Sequence, residues 1–175
     1  MNTKETTSTQ KLAIAGVLTA AAVAGSLISV PVAGSKCAPV QHMVNILCAV
    51  LLGPWYGVAV AFTASLLRNL LGLGSLMAFP GSMCGALLCG LVYDRFRNLI
   101  PTLCAEVFGT GIIGGLLAWP VAVLLMGKPA GSIAFYAYVV PFLVSTIGGS
   151  LIAGAVLLTL EKNNALQRMQ SSITG

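Results

Sequence analysis

Five long intervals of this chain, residues 12–35, 37–67, 69–93, 107–127 and 129–160, contain no charged side chain. A helix needs about 20 predominantly apolar residues to cross a hydrocarbon core about 30 Å thick. Every one of the five intervals is that long. Only 7% of the residues are charged and the mean hydropathy is +0.95, whereas a soluble domain carries about 25% charged residues. So few ionic groups cannot cover a water-facing surface, and the chain is expected to be an all-α integral membrane protein. The formal charge of +5 does not indicate nucleic acid, because the basic residues are scattered singly and form no stripe.

The number of spans turns on the second interval. It contains "LLGPWYG", where Gly53 stops one helix and Pro54 suits the first position of the next. Splitting there predicts a first helix over 12–30, a short one from Met43 to Leu52, then Pro54–Leu71, Phe79–Phe96, Thr102–Met126 and Ile133–Leu160. The short helix rises only about 15 Å and must lean on protein. Cytoplasmic loops carry an excess of Lys and Arg. Six segments place Lys4, Lys11, Arg95, Arg97, Lys162 and Arg168 inside against Lys36, Arg68 and Lys128 outside, six to three. Five segments give four against five and break the rule. Six transmembrane helices, one of them short, are therefore expected, with both termini cytoplasmic. Residues 1–11 form an N-terminal tail, 12–160 the membrane domain and 161–175 a C-terminal tail. The apolar run after Lys11 imitates a signal peptide but has the length of a full span, so it is read as retained. Pro120 and Pro141 fall inside the last two predicted helices and predict kinks there.

Most of the residue types that carry chemistry have plainer readings. Five cysteines, at 37, 48, 84, 89 and 104, show no CxxC spacing, and four sit in apolar runs as small packing residues. "GTGIIGG" at 109–115 contains a formal GxGxxG, but that motif binds dinucleotides only after a strand. Inside an apolar helix it reads as helix packing, with Gly111 and Gly115 forming one GxxxG and Gly81 and Gly85 another. No metal site, catalytic constellation or cofactor motif is found. Glu106, the one acid well inside a predicted helical region, is read as structural or partner-contacting, since no second titratable group is seen to face it.

A polar cluster stands out against this background. "SKCAPVQHMVN" at 35–45 places Lys36, Gln41, His42 and Asn45 above or on the half-length helix, with His42 and Asn45 on one face. A second outer cluster, "RNLLGLGSLMAFPGSM" at 68–83, adds Arg68, Asn69, Ser75, Phe79 and Ser82. Trp119, Tyr136, Tyr138 and Ser145 come from the outer ends of the last two helices. Together they suit a pocket for a small neutral or anionic heteroaromatic. On the first helix, Gly16, Ala20 and Ala24 form a stripe that lets another helix approach closely.

Six short helices, the small-residue stripe, an outer loop over a cavity and the absence of an ATPase segment resemble the S components of energy-coupling-factor (ECF) vitamin transporters. The segments "GSKCAPVQHMVN", "LLGPWYG", "RNLLGLGSLMAFPGSM", "EVFGTGIIGGLLAWPVA" and "PFLVSTIGGS" resemble the ThiW family specifically, over residues 12 to 160. The resemblance implies the S-component fold, a bacterial cell-membrane location, and capture of the thiamine precursor hydroxyethylthiazole from outside. It also implies a transmembrane coupling protein and two cytoplasmic ATPases as partners, with ATP hydrolysed there and Gly16, Ala20 and Ala24 as the docking face. Thiamine or its pyrimidine precursor as substrate, a stand-alone secondary carrier and a non-transport scaffold are the alternatives.

Overall fold

The computed structural model describes residues 3–32 and 35–174. It is helical apart from one short hairpin. The order is α1 (Thr3–Gly25), β1 (Val30–Val32), β2 (Ser35–Cys37), α2 (Pro39–Leu51), α3 (Pro54–Leu70), α4 (Ala78–Phe96), α5 (Leu99–Glu106), a π-helical segment (Val107–Gly114), α6 (Gly115–Leu124), a 3₁₀ turn (Ala130–Ser132), α7 (Val139–Lys162) and α8 (Ala165–Thr174). The hairpin pairs Val30 with Cys37 and Val32 with Ser35, antiparallel.

Helix α2 is the axis of the bundle. Pro39 opens it, and the break at Gly53, where φ is 88°, closes it as the sequence predicts. Its 13 residues rise about 20 Å, so its backbone ends lie well inside the molecule and its sides need protein on every face. One face joins Ile46, Ala49 and Val50 to Cys89 and Tyr93 of α4, Ala153 and Leu157 of α7, and Leu166 of α8. The other joins Val44 and Cys48 to Ala15 and Ala22 of α1 and to Val60 and Ala64 of α3.

Helices α5, the π segment and α6 run continuously over Leu99–Leu124, 26 residues with a hydropathy of 1.9, and α7 spans 24 residues at 2.0. These two are long and apolar enough to cross a membrane. The outer surface is also rich in large apolar side chains, among them Leu12, Val17, Leu27, Ile28, Leu124, Leu125 and Leu151. A surface of that kind suits hydrocarbon rather than water.

Several elements depart from expectation, beginning with α2, which starts at Pro39 rather than Met43, and α5, which starts at Leu99 rather than Thr102. Helix α1 begins at Thr3, nine residues before the apolar run. Helix α7 begins at Val139 rather than Ile133, so Pro141 sits in its first turn, where a missing N–H costs nothing, and no kink arises there. Pro120 does lie inside α6. The C-terminal tail holds a further helix, α8, which buries Leu166 and Ile173 against the bundle. Gln170 Nε2 donates to Val50 O and Tyr93 Oη, both at 3.0 Å, and so ties α8 to the C-terminal end of α2.

Candidate functional site

A buried polar network lies where α2, α4 and the π segment meet. Residues 41, 42 and 45 share one side of α2 because their spacings of three and four are near one helical turn. Gln41, His42 and Asn45 are all buried. Across from them stands Glu106, with no exposed surface. Its Oε1 accepts from Thr110 Oγ1 at 2.9 Å and from Asn45 Nδ2 at 3.0 Å, and it meets His42 Nδ1 at 3.1 Å. Three polar side chains thus converge on one carboxyl oxygen. The other oxygen, Oε2, faces Gly85 and neighbours the Cys89 thiol. Any β-carbon at Gly85 would overlap Thr110 Oγ1 and lie 2.6 Å from Glu106 Oε2, so glycine is what admits the carboxyl group against α4.

The network continues outward through amides. Asn45 Nδ2 also donates to Ser82 O at 3.1 Å. Gln41 Nε2 donates to Ser82 Oγ at 3.0 Å and to Asn45 Oδ1 at 3.4 Å. Arg68 NH1 donates to Gln41 Oε1 at 3.4 Å. Above it is a cavity of about 40 Å³ lined by Ala38, Gln41, His42, Arg68, Ala78, Ser82, Thr110, Pro141, Phe142 and Ser145. That is room for about three waters. Its walls combine a guanidinium, an imidazole, an amide and three hydroxyls with the Phe142 ring and a proline. A larger groove between α5 and α7, lined by Leu103, Val107, Phe108, Leu151 and Leu158 among others, is almost wholly apolar and faces outward.

Of the residues expected at the site, Gln41, His42, Arg68, Ser82 and Ser145 line the cavity and Asn45 lies directly beneath it. The side chain of Lys36 falls outside the described residues. The others lie elsewhere. Asn69 Nδ2 donates to Ser65 O and Ser75 O, so Asn69 and Ser75 fasten the α3–α4 loop. Phe79 packs at a tilt against Phe62 with ring centroids 5.5 Å apart. Trp119 Nε1 donates to Ile133 O at 3.0 Å, and its ring packs beside Tyr138 and Met77 in a separate cluster. Tyr136 is 58% exposed, because α7 starts too late to turn it inward. Gly16, Ala20 and Ala24 lie on the exposed face of α1, away from its buried Ala15, Thr19 and Ala22.

Three functional candidates escaped sequence reasoning, the first being Phe142, whose ring lines the cavity. Thr110 sits in the glycine-rich π segment, whose backbone geometry the motif does not reveal. Glu106 was placed near the inner start of a helix with nothing facing it, yet His42 faces it directly. The one acid well inside an apolar helical run and the chain's single histidine were the available signal.

An apolar-surfaced helical bundle with a small cavity walled by buried polar side chains is the make-up of a membrane protein that handles a small molecule. The family model described as thiamine-precursor transporter protein (ThiW) matches residues 12–163, and the chain belongs to that family. No curated protein and no solved structure matches it.

Proposed function

We propose that this chain is the membrane substrate-binding subunit of an ECF-type importer, an S component with six membrane-spanning helices and both termini cytoplasmic. It captures hydroxyethylthiazole from outside and passes it inward in concert with a transmembrane coupling protein and two ATPases, which supply the ATP hydrolysis. The observation that carries the binding role is the cavity between Gln41, His42, Arg68, Ser82 and Ser145, in a chain whose family transports a thiamine precursor. A thiazole with a hydroxyethyl arm offers an aromatic face for Phe142, a ring nitrogen for a donor, and a hydroxyl for His42. With Nδ1 of His42 engaged by Glu106, Nε2 is the nitrogen left for a ligand. The cavity is smaller than such a molecule, so binding requires the outer loops and the Arg68 and Phe142 side chains to give way.

A secondary carrier is the second reading, favoured by the buried His42–Glu106 pair, which has the make-up of a proton-coupled site. Calorimetric titration of the detergent-purified protein with hydroxyethylthiazole, the pyrimidine precursor and thiamine tests the substrate. Selective thiazole binding is expected, and binding of none by folded protein removes the assignment. Proteoliposomes holding this chain alone should not accumulate thiazole under a proton gradient. Accumulation there would establish the carrier reading instead.

A further inference from the structure

We infer that Arg68 reads the lone pair of an aromatic ring nitrogen in the ligand, so that the protein takes neutral thiamine precursors and rejects N-alkylated, cationic thiazolium rings. This rests on the cavity being the substrate site.

Arg68 is 4% exposed and lines the cavity. A buried guanidinium ordinarily spends its donors on a carboxylate. The close acid–base contacts among the described residues join His42 to Glu106 and Arg97 to Asp94, and neither involves Arg68. Among the described residues its NH1 meets only the Gln41 amide oxygen, at a long 3.4 Å. Its Nε is buried without a partner among the described residues. Unspent donors and a full positive charge are thus held at the cavity wall.

The amide relay fixes that polarity. Gln41 uses its nitrogen on Ser82 and Asn45, so its oxygen must turn to Arg68. Asn45 uses its nitrogen on Glu106 and Ser82, so its oxygen must turn to Gln41. Guanidinium, two amides and carboxyl group are therefore aligned head to tail, and reversing either amide would set donor against donor or acceptor against acceptor. The negative end lies at the floor behind His42, Asn45 and Thr110. The positive end faces the ligand.

A cation entering this cavity meets Arg68 in a low-dielectric setting where like charges repel strongly. A neutral azole or pyrimidine instead brings an in-plane lone pair to a charged donor, the stronger class of hydrogen bond. Alkylating the ring nitrogen removes the acceptor and adds the charge in one step. That step is the covalent difference between a thiazole precursor and the thiazolium of finished thiamine, so Arg68 separates precursor from product.

Three ligands of nearly equal shape test this on the purified full chain: hydroxyethylthiazole, its thiophene counterpart with CH in place of the ring nitrogen, and its N-methyl thiazolium. Wild type should bind the thiophene at least about 10-fold and the thiazolium at least about 100-fold more weakly than the thiazole. Arg68→Met should bring the thiazole down to the thiophene's level and shrink the thiazolium's disadvantage below about 10-fold. Arg68→Lys, which keeps the charge, should still reject the thiazolium. Equal binding of thiazole and thiophene by wild type would overturn the inference alone, as would undiminished rejection of thiazolium by folded Arg68→Met. Should Arg68→Met not fold, the wild-type thiophene ratio and the Arg68→Lys profile decide. Binding of none of the three by folded wild type would overturn the substrate reading and this inference together.

Discussion

Glu106 gathers the donors of three side chains that arrive from two different stretches of the chain, Thr110 from its own helix and His42 and Asn45 from α2. Removing the acceptor leaves each of those donors buried without its carboxyl partner. Leaving a buried polar group unpaired costs about 1–3 kcal/mol, because the surviving groups still bear their desolvation. Glu106→Ala should therefore lower stability by about 3 kcal/mol, and Glu106→Gln, which keeps one acceptor oxygen, by less than half of that. Thermal unfolding in detergent measures both. Equal losses would mean that Glu106 supplies volume rather than an acceptor. This pairing was not legible in the sequence. His42 and Asn45 showed their shared face through their spacing of three, but their partner lies 61 to 64 positions away, and only the fold brings it opposite. Arg68, Gln41 and Ser82 were legible as an outer polar group because each interrupts an apolar run close to a predicted helix end.

At the scale of elements, α4 and the π segment approach each other through glycines, Gly81 against Gly114 and Gly85 against Gly109. Gly85 is the tightest point of that contact, with Thr110 Oγ1 and Glu106 Oε2 where a β-carbon would be. In an open helix, replacing glycine with alanine gains about 1 kcal/mol from backbone entropy. Here overpacking of about 1–3 kcal/mol opposes that gain, and the neighbours that must give are themselves fixed by hydrogen bonds. Gly85→Ala should be net destabilising and weaken thiazole binding, whereas Gly131→Ala, with nothing within 4 Å of the new carbon, should change neither. Thermal midpoints and titrations of the two variants check this, and a neutral Gly85→Ala would show that the contact is looser than drawn. The Gly53-Pro54 break was readable because both residues act locally on the backbone. The close approach of Gly81 and Gly85 was readable only as a tendency to pack, since the spacing names no partner. Helix α8 left a signal in Leu166 and Ile173, seven apart on one face, but 10 residues of low hydropathy read as a tail until the C-terminal end of the half-length α2 is seen to need covering.

For the molecule as a whole, the asymmetry that would orient it on the proposed topology is the distribution of its nine basic residues, and the asymmetry that would engage a partner lies on α1. That helix attaches through Ala15, Thr19, Ala22 and Ser26, all buried, which leaves Gly16, Ala20 and Ala24 turned outward. A tryptophan at position 20 therefore has open space beside the bundle and no core residue to displace. Surface changes of this kind usually alter stability by less than about 0.5 kcal/mol. Ala20→Trp should accordingly bind thiazole within about twofold of wild type. On the proposed coupling to an ATPase module, the same bulk would hold a partner helix away from the close contact that small residues permit. Uptake by cells, and co-purification with the coupling protein and ATPases, should then be lost while binding persists. The two measurements separate the roles, because the cavity and the stripe lie on different sides of α1. Loss of binding along with uptake would mean that α1 is part of the ligand site. Retention of both would mean that this face of α1 is covered by lipid and that a partner, if one engages the chain, does so elsewhere.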